Sequence, residues 1–186
     1  MPSRLLGLLV VFAVCGDARG AILERVLAVV DGRPVMLREV SLLERLRGVP
    51  RQAALDAVID ERLMFQEAAR LPQAVVSAED EQQAYESLAS RAPAEAGLLP
   101  EELRTLARRE TAILRYVAFR FRSQVRIGDE AARAAYDAEF GGRADAPAFA
   151  DAAPAIRERL ASKQLDERIE AWVRELRAGA EIRYNP

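Results

Sequence analysis

The 186-residue chain is 51% hydrophobic and 30% charged, with a formal net charge of −2, a globular balance rather than a disordered one. That charge gives no basic face of the kind nucleic acid demands; arginine outnumbers lysine 26 to 1, Lys163 being the lysine, a bias that surface charge tolerates because it needs only the sign. There is no histidine, which removes the commonest general base and the commonest metal ligand together.

The chain opens like an export signal. MPSR carries a positive charge, and Leu5 to Cys15 (LLGLLVVFAVC) is an apolar run of signal-peptide length, too short to span a bilayer. Ala18-Arg19-Gly20 then offers small residues at the two positions a signal peptidase reads, so residues 1–20 are expected to be removed. The rival reading makes Cys15 a lipid anchor, but that signal wants a small residue where Val14 stands. Cleavage after Gly20 leaves no cysteine, so an ordinary core must hold the exported chain.

Residues 26–37, VLAVVDGRPVML, give two β-rich runs around Asp31-Gly32, a strong hairpin signal. Pro34 marks the second run as an edge strand or a strand start. A first helix is expected over about 38–46, stopping at Gly48-Val49-Pro50, and a second over about 52–71, ending at Pro72. Ser77 followed by Asp80 is a capping-box-like start for a third helix, which fades near Pro93. Pro100-Glu101-Glu102 opens a fourth, with two acids at the positive end of the dipole, running to about 125. A short fifth helix begins at Gly128-Asp129-Glu130 and ends before Gly141-Gly142. The last spans about 151–178 with Gly179 as its stop, and residues 181–184 form a closing strand. A lone hairpin is marginal in water, so the C-terminal strand, or its helix, is expected to dock on it. The fold class is mainly α, a helical core with a small N-terminal hairpin joined by a C-terminal strand.

On a helical wheel, Leu103, Leu106, Ala107, Ile113, Leu114, Val117 and Phe121 share the core stripe of the fourth helix. Tyr116 and Phe119 lie off it, Phe119 beside Arg108, Arg115 and Arg122. Phe119 either packs on a second helix or forms an exposed aromatic with a basic rim, suited to aromatic peptide segments. In the last helix Ile156 and Leu160 point one way, while Leu165, Ile169, Trp172 and Leu176 point nearly the opposite way. Such a helix touches two bodies, with the Trp172 half as the core half and the Ile156 half on the fifth helix or open.

RVLAVVDGRPVMLREV, AVIDERLMFQEAARL and VVSAEDEQQAYESL resemble the N-terminal domain of SurA-type periplasmic chaperones. The tail IRERLASKQLDERIEAWVRELRAGAEIRY resembles the C-terminal helix and strand of the same family; AEAGLLP (94–100) is only loosely similar. The resemblance implies that residues 21–140 and 151–186 pack together as one chaperone core. It also implies that 141–150 is a linker where the family carries a parvulin-type prolyl isomerase domain, which needs on the order of a hundred residues. EFGGRADAPAF (139–149) then reads as the seam left where that domain is missing.

The expectation is a periplasmic, ATP-independent holdase without isomerase activity, whose clients by resemblance are unfolded outer-membrane or exported polypeptides. Client-contact candidates are Met64 and Leu71 on the second helix and Tyr116, Phe119 and Arg115 on the fourth, methionine being suited to promiscuous contact. Ordinary core packing is an equal reading for Met64. The alternative is a dedicated assembly module binding one partner or a neighbouring chain, a homodimer included. No enzyme, cofactor, metal or small-molecule substrate is expected. Asp60-Glu61 and Asp80-Glu81 are adjacent acids whose side chains diverge by about 100°, read as solvated faces or caps, and no phosphate loop or metal-ligand motif appears.

Overall fold

A computed structural model describes residues 25–93 and 96–185; the expected export signal and Cys15 lie outside these. The described residues form a mainly α fold of six helices with a three-stranded antiparallel sheet made by the two ends of the chain. Strands β1 (Val26–Val30) and β2 (Arg33–Met36) are joined by Asp31 and Gly32, both at positive φ (48° and 76°), the two-residue turn whose twist matches that of the strands. Strand β3 (Ile182–Tyr184) pairs antiparallel with β1 on its other edge, Ala28 opposite Tyr184 and Val30 opposite Ile182. β1 is therefore central, and Pro34 sits on the edge strand β2. An irregularity in the β1–β2 register between Val26 and Ala28 lets the consecutive residues Leu27 and Ala28 both be buried.

Helix α1 (Leu37–Arg47) follows β2 directly, and Glu39 Oε2 accepts the Met36 N–H at 3.0 Å. It stops at Gly48, whose φ of 64° returns its N–H to the Glu44 carbonyl at 2.9 Å. Helix α2 (Arg51–Ala68) ends three residues short of the expected Leu71. Pro72 holds Leu71 in extended backbone, and one 3-10 turn follows. The Ser77–Asp80 capping box opens α3 (Ala78–Arg91), with reciprocal bonds of 3.1 and 3.3 Å. Helix α4 (Pro100–Arg120) stops earlier than the expected 125, and the chain passes through Phe121 into another 3-10 turn. Helix α5 (Asp129–Phe140) and the 31-residue α6 (Phe149–Gly179) complete the set. Gly179 is the last helical residue rather than a left-handed stop; Ala180 leaves the helix in extended backbone.

Two apolar clusters make up the core. The first holds Ala28, Val30, Val35, Val40, Leu43, Ile59 and Leu106, joining the sheet to α1, α2 and α4. The second holds Ala68, Ile113, Val117 and Trp172, joining α2 and α4 to the C-terminal half of α6. Ile156 is buried outside both, in the half of α6 that packs on α5. The face switch thus has its expected cause. Residues 141–148 are the connection between α5 and α6, with the Tyr136 hydroxyl donating to the Pro147 carbonyl.

The chain ends are also tied by charge. Arg177 Nε donates to Asp60 Oδ1 at 2.5 Å, and its Nη2 donates to the Asp56 carbonyl at 3.1 Å and carboxylate at 3.3 Å. These bonds, led by that to Asp60, hold the guanidinium above its ordinary pKa. Arg177→Met is expected to lower the urea unfolding free energy by about 1–3 kcal/mol. Arg174→Met, which removes an exposed partner of Glu170 at 3.8 Å, should cost less than about 0.5 kcal/mol. Equal losses would show that Arg177 does not anchor α6.

Candidate functional site

Helix α2 lies against α1, α4 and α6, so its polar residues must find partners on its neighbours. Asp60 reaches Arg177 of α6. Glu61, one step and about 100° on, turns toward α4 and is buried, at 8% exposure. Its Oε1 lies 3.7 Å from Arg109 Nη1, outside hydrogen-bond distance. Arg109 is shared: the same Nη1 stands 3.5 Å from Glu39 Oε1. Glu39 is already satisfied, accepting from Arg62 Nη2 at 2.9 Å on both oxygens as well as from the Met36 N–H. Burial pushes Glu61 up to about 7, an effect Arg109 only partly offsets and the nearby Glu110 reinforces.

Two hollows meet at Glu61. One, of about 270 Å³, lies among α1, α2 and α4, with Leu42, Val58 and Leu106 as apolar lining and Arg38, Glu101 and Arg109 as polar lining. The other, of about 330 Å³, has Ala57, Met64, Ile113 and Leu114 as apolar lining and Arg47 and Glu110, beside Glu61, as polar lining. Arg47 and Glu110 pair at 2.8 Å, joining α1 to α4. Leu114 is 66% exposed.

The five residues singled out from the sequence do not converge. Met64 is half-buried and lines the second hollow. Leu71 lies outside α2 and lines a different, smaller hollow with Phe65 and Val75. Tyr116 is half-buried: its ring stacks on Trp172 at 4.9 Å against the second core cluster, and it lines a further hollow with Phe121 and Arg168. Arg115 pairs with Asp80 at 2.6 Å and donates to the Val75 carbonyl, tying α4 to the start of α3. Phe119 is 53% exposed.

Leu114, placed on the core stripe by the wheel, is open, and Glu61, read as a solvated acid, is buried. Asp60 is likewise held rather than merely solvated. Glu61 had a legible signal: it falls three residues after Val58 and three before Met64, a carboxylate inside an apolar helical repeat. Asp80 acts as the expected cap; the Ser77 hydroxyl, then Arg115, keeps its carboxyl below the usual range. No cluster of side chains among the described residues is suited to hold a metal ion. No protein-family model matches the chain, and no curated protein matches it.

Because Glu61 titrates higher in the folded protein than in the unfolded chain, the folded state holds the extra proton between about pH 4.5 and 7. Stability from this group is therefore present at low pH and lost as pH rises through 7. Glu61→Gln should be near neutral at about pH 5 and more stable than the wild type by on the order of 1–3 kcal/mol at about pH 8. Urea unfolding of both proteins at the two pH values checks this; a pH-independent difference would show that Glu61 does not titrate in that range.

Proposed function

We propose that the protein is a periplasmic, ATP-independent holdase that binds unfolded exported or outer-membrane polypeptides and has no prolyl isomerase activity. The observation that carries this reading is the apolar hollow beside α4. Ala57, Met64, Ile113 and the exposed Leu114 present apolar surface beside the polar Arg47, Glu61 and Glu110, the arrangement of a contact surface rather than a closed core. Met64 adds a flexible, polarisable side chain that adapts to many sequences. Phe119 lies five residues beyond Leu114 on the same helix and offers a further contact. The resemblance of both chain ends to SurA-type chaperones supports the same reading, with 141–148 in place of an isomerase domain.

A dedicated assembly module is the second reading. What favours it is the α5–α6 hairpin, whose buried Ala132, Ala153 and Ile156 lie outside both core clusters and whose exposed faces would suit one fixed partner. An aggregation assay separates the two. Several unrelated β-barrel proteins are diluted from urea with and without excess protein, and light scattering is followed. A holdase lowers scattering for all of them, and Leu114→Ser should lose at least about half of that effect with its helical circular dichroism unchanged. Protection of a single client would favour the dedicated module; protection of none would sink the holdase. The rate of a proline-limited refolding reaction should not change, and acceleration would overturn the absence of isomerase activity.

A further inference from the structure

We propose that Glu61 is the anion of a recognition site for a lysine or arginine side chain within an extended, otherwise apolar polypeptide segment, the hollows on either side holding the flanking residues. The inference rests on the holdase reading and gives its groove a chemical preference.

Charge is the first argument. The hollow among α1, α2 and α4 is lined by four carboxylates, Glu39, Glu61, Glu101 and Glu102, against two guanidiniums, Arg38 and Arg109. Glu39 is saturated by Arg62 and the Met36 N–H, and Glu102 accepts the Leu99 N–H at 3.4 Å. Glu61 is nine-tenths buried; its nearest cation, the shared Arg109, stands at 3.7 Å, and Arg47 adds a weaker attraction. An anionic ligand would meet like charge there. A wholly apolar one would seal the carboxylate away from water without a donor, which costs more the better it fits. A cation supplies what the site lacks.

Shape is the second. A lysine or arginine carries its charge on an aliphatic stem that lies along apolar surface, and Leu42, Val58 and Leu106 provide it beside Glu61. From Leu106 in one hollow to Leu114 in the other, α4 advances about 12 Å, the length of three to four residues of extended chain. The occupant is therefore a stretch of polypeptide, with its cation at Glu61 and an apolar neighbour against Met64, Ile113 and Leu114.

The pH dependence has a definite sign. The charged groups facing Glu61 are Arg38, Glu39 and Arg47 of α1 and Glu101, Glu102, Arg109 and Glu110 of α4. With burial dominant, Glu61 is protonated below about pH 7. Cation binding must displace that proton, so the preference for a cation grows as pH rises through neutrality.

The test uses the full chain and two blocked, fluorescein-labelled pentapeptides, Leu-Ala-Lys-Ala-Leu and its norleucine counterpart, followed by anisotropy. The lysine peptide should bind at least about fivefold tighter at about pH 8, with the ratio shrinking below about twofold at about pH 6. Glu61→Gln should bring the two peptides to equal affinity. Arg109→Met, which removes the competing cation, should strengthen lysine-peptide binding and provides a test even if Glu61→Gln folds poorly. Equal affinity of the wild type for both peptides, a preference that survives Glu61→Gln, or weaker lysine binding by Arg109→Met would each overturn the site. Aggregation suppression without a lysine preference would defeat the site alone; a lysine preference without suppression would support the site and defeat the holdase.

Discussion

Four consecutive residues of α2 organise the molecule. Ile59 is fully buried in the first core cluster. Asp60 holds Arg177 of α6, Glu61 faces Arg109 of α4, and Arg62 binds Glu39 of α1 and the Arg33 and Pro34 carbonyls of β2. Each residue turns about 100° from the last, so four of them address four directions around one helix. A helix packed on several sides that carries charge must match each charge or lose several kcal/mol to desolvation. Here Asp60 and Arg62 find close partners on α6, α1 and β2, whereas Glu61 is only partly matched by Arg109 of α4 at 3.7 Å. The sheet, α1, α4 and α6 are thus oriented about α2 by polar contacts as well as by apolar burial.

The second constraint is closure of the chain on itself. Without β3, β1 would be an edge strand offering unpaired backbone to other chains. The pairing is continued past the strand ends, where the Asp31 N–H donates to the Glu181 carbonyl and the Glu181 N–H to Asp31 Oδ1, each at 2.9 Å, and the Asn185 N–H to the Leu27 carbonyl at 2.8 Å. The same Asp31 makes the hairpin turn, so one residue serves both strand connections. β3 also fixes the end of α6, a continuous helix of 31 residues about 46 Å long. Trp172 and Arg177 hold its second half, while its first half packs on α5, with Ala153 and Ile156 buried outside both core clusters.

Much of this was legible in the sequence because short-range chemistry decides it. The Asp31-Gly32 turn, the Ser77–Asp80 cap, the Pro and Gly breaks and the reversal of the apolar face along α6 each depend on a few neighbouring residues. The candidate site was not, because exposure depends on which neighbour reaches which face. The wheel places Leu114 beside Ile113 on one stripe, but α4 meets α2 and α3 along part of its length and Trp172 of α6 farther on. Ile113 falls under a neighbour and Leu114 does not, while Tyr116, off the stripe, meets Trp172. The Asp60-Glu61 pair was misread for the same reason: adjacent acids look solvated until a helix is known to be enclosed.

The position of Glu61 also explains why a groove exists at all. Leu42, Leu43, Val58 and Leu106, which line the hollow on one side of it, belong to the first core cluster; Met64 and Ile113, on the other side, belong to the second. A leucine at position 61 would join the two clusters along α2 and give α4 apolar surface to settle on. A carboxylate opposes that closure, because full burial would remove its remaining water while Arg109 is shared with Glu39. The groove is therefore maintained by a group that destabilises a closed core, and its upward-shifted titration is the thermodynamic mark of that conflict. In the recognition site proposed above, the residue that keeps the apolar surface from sealing is also the one that supplies the charge, so opening and selectivity would be two consequences of one buried acid.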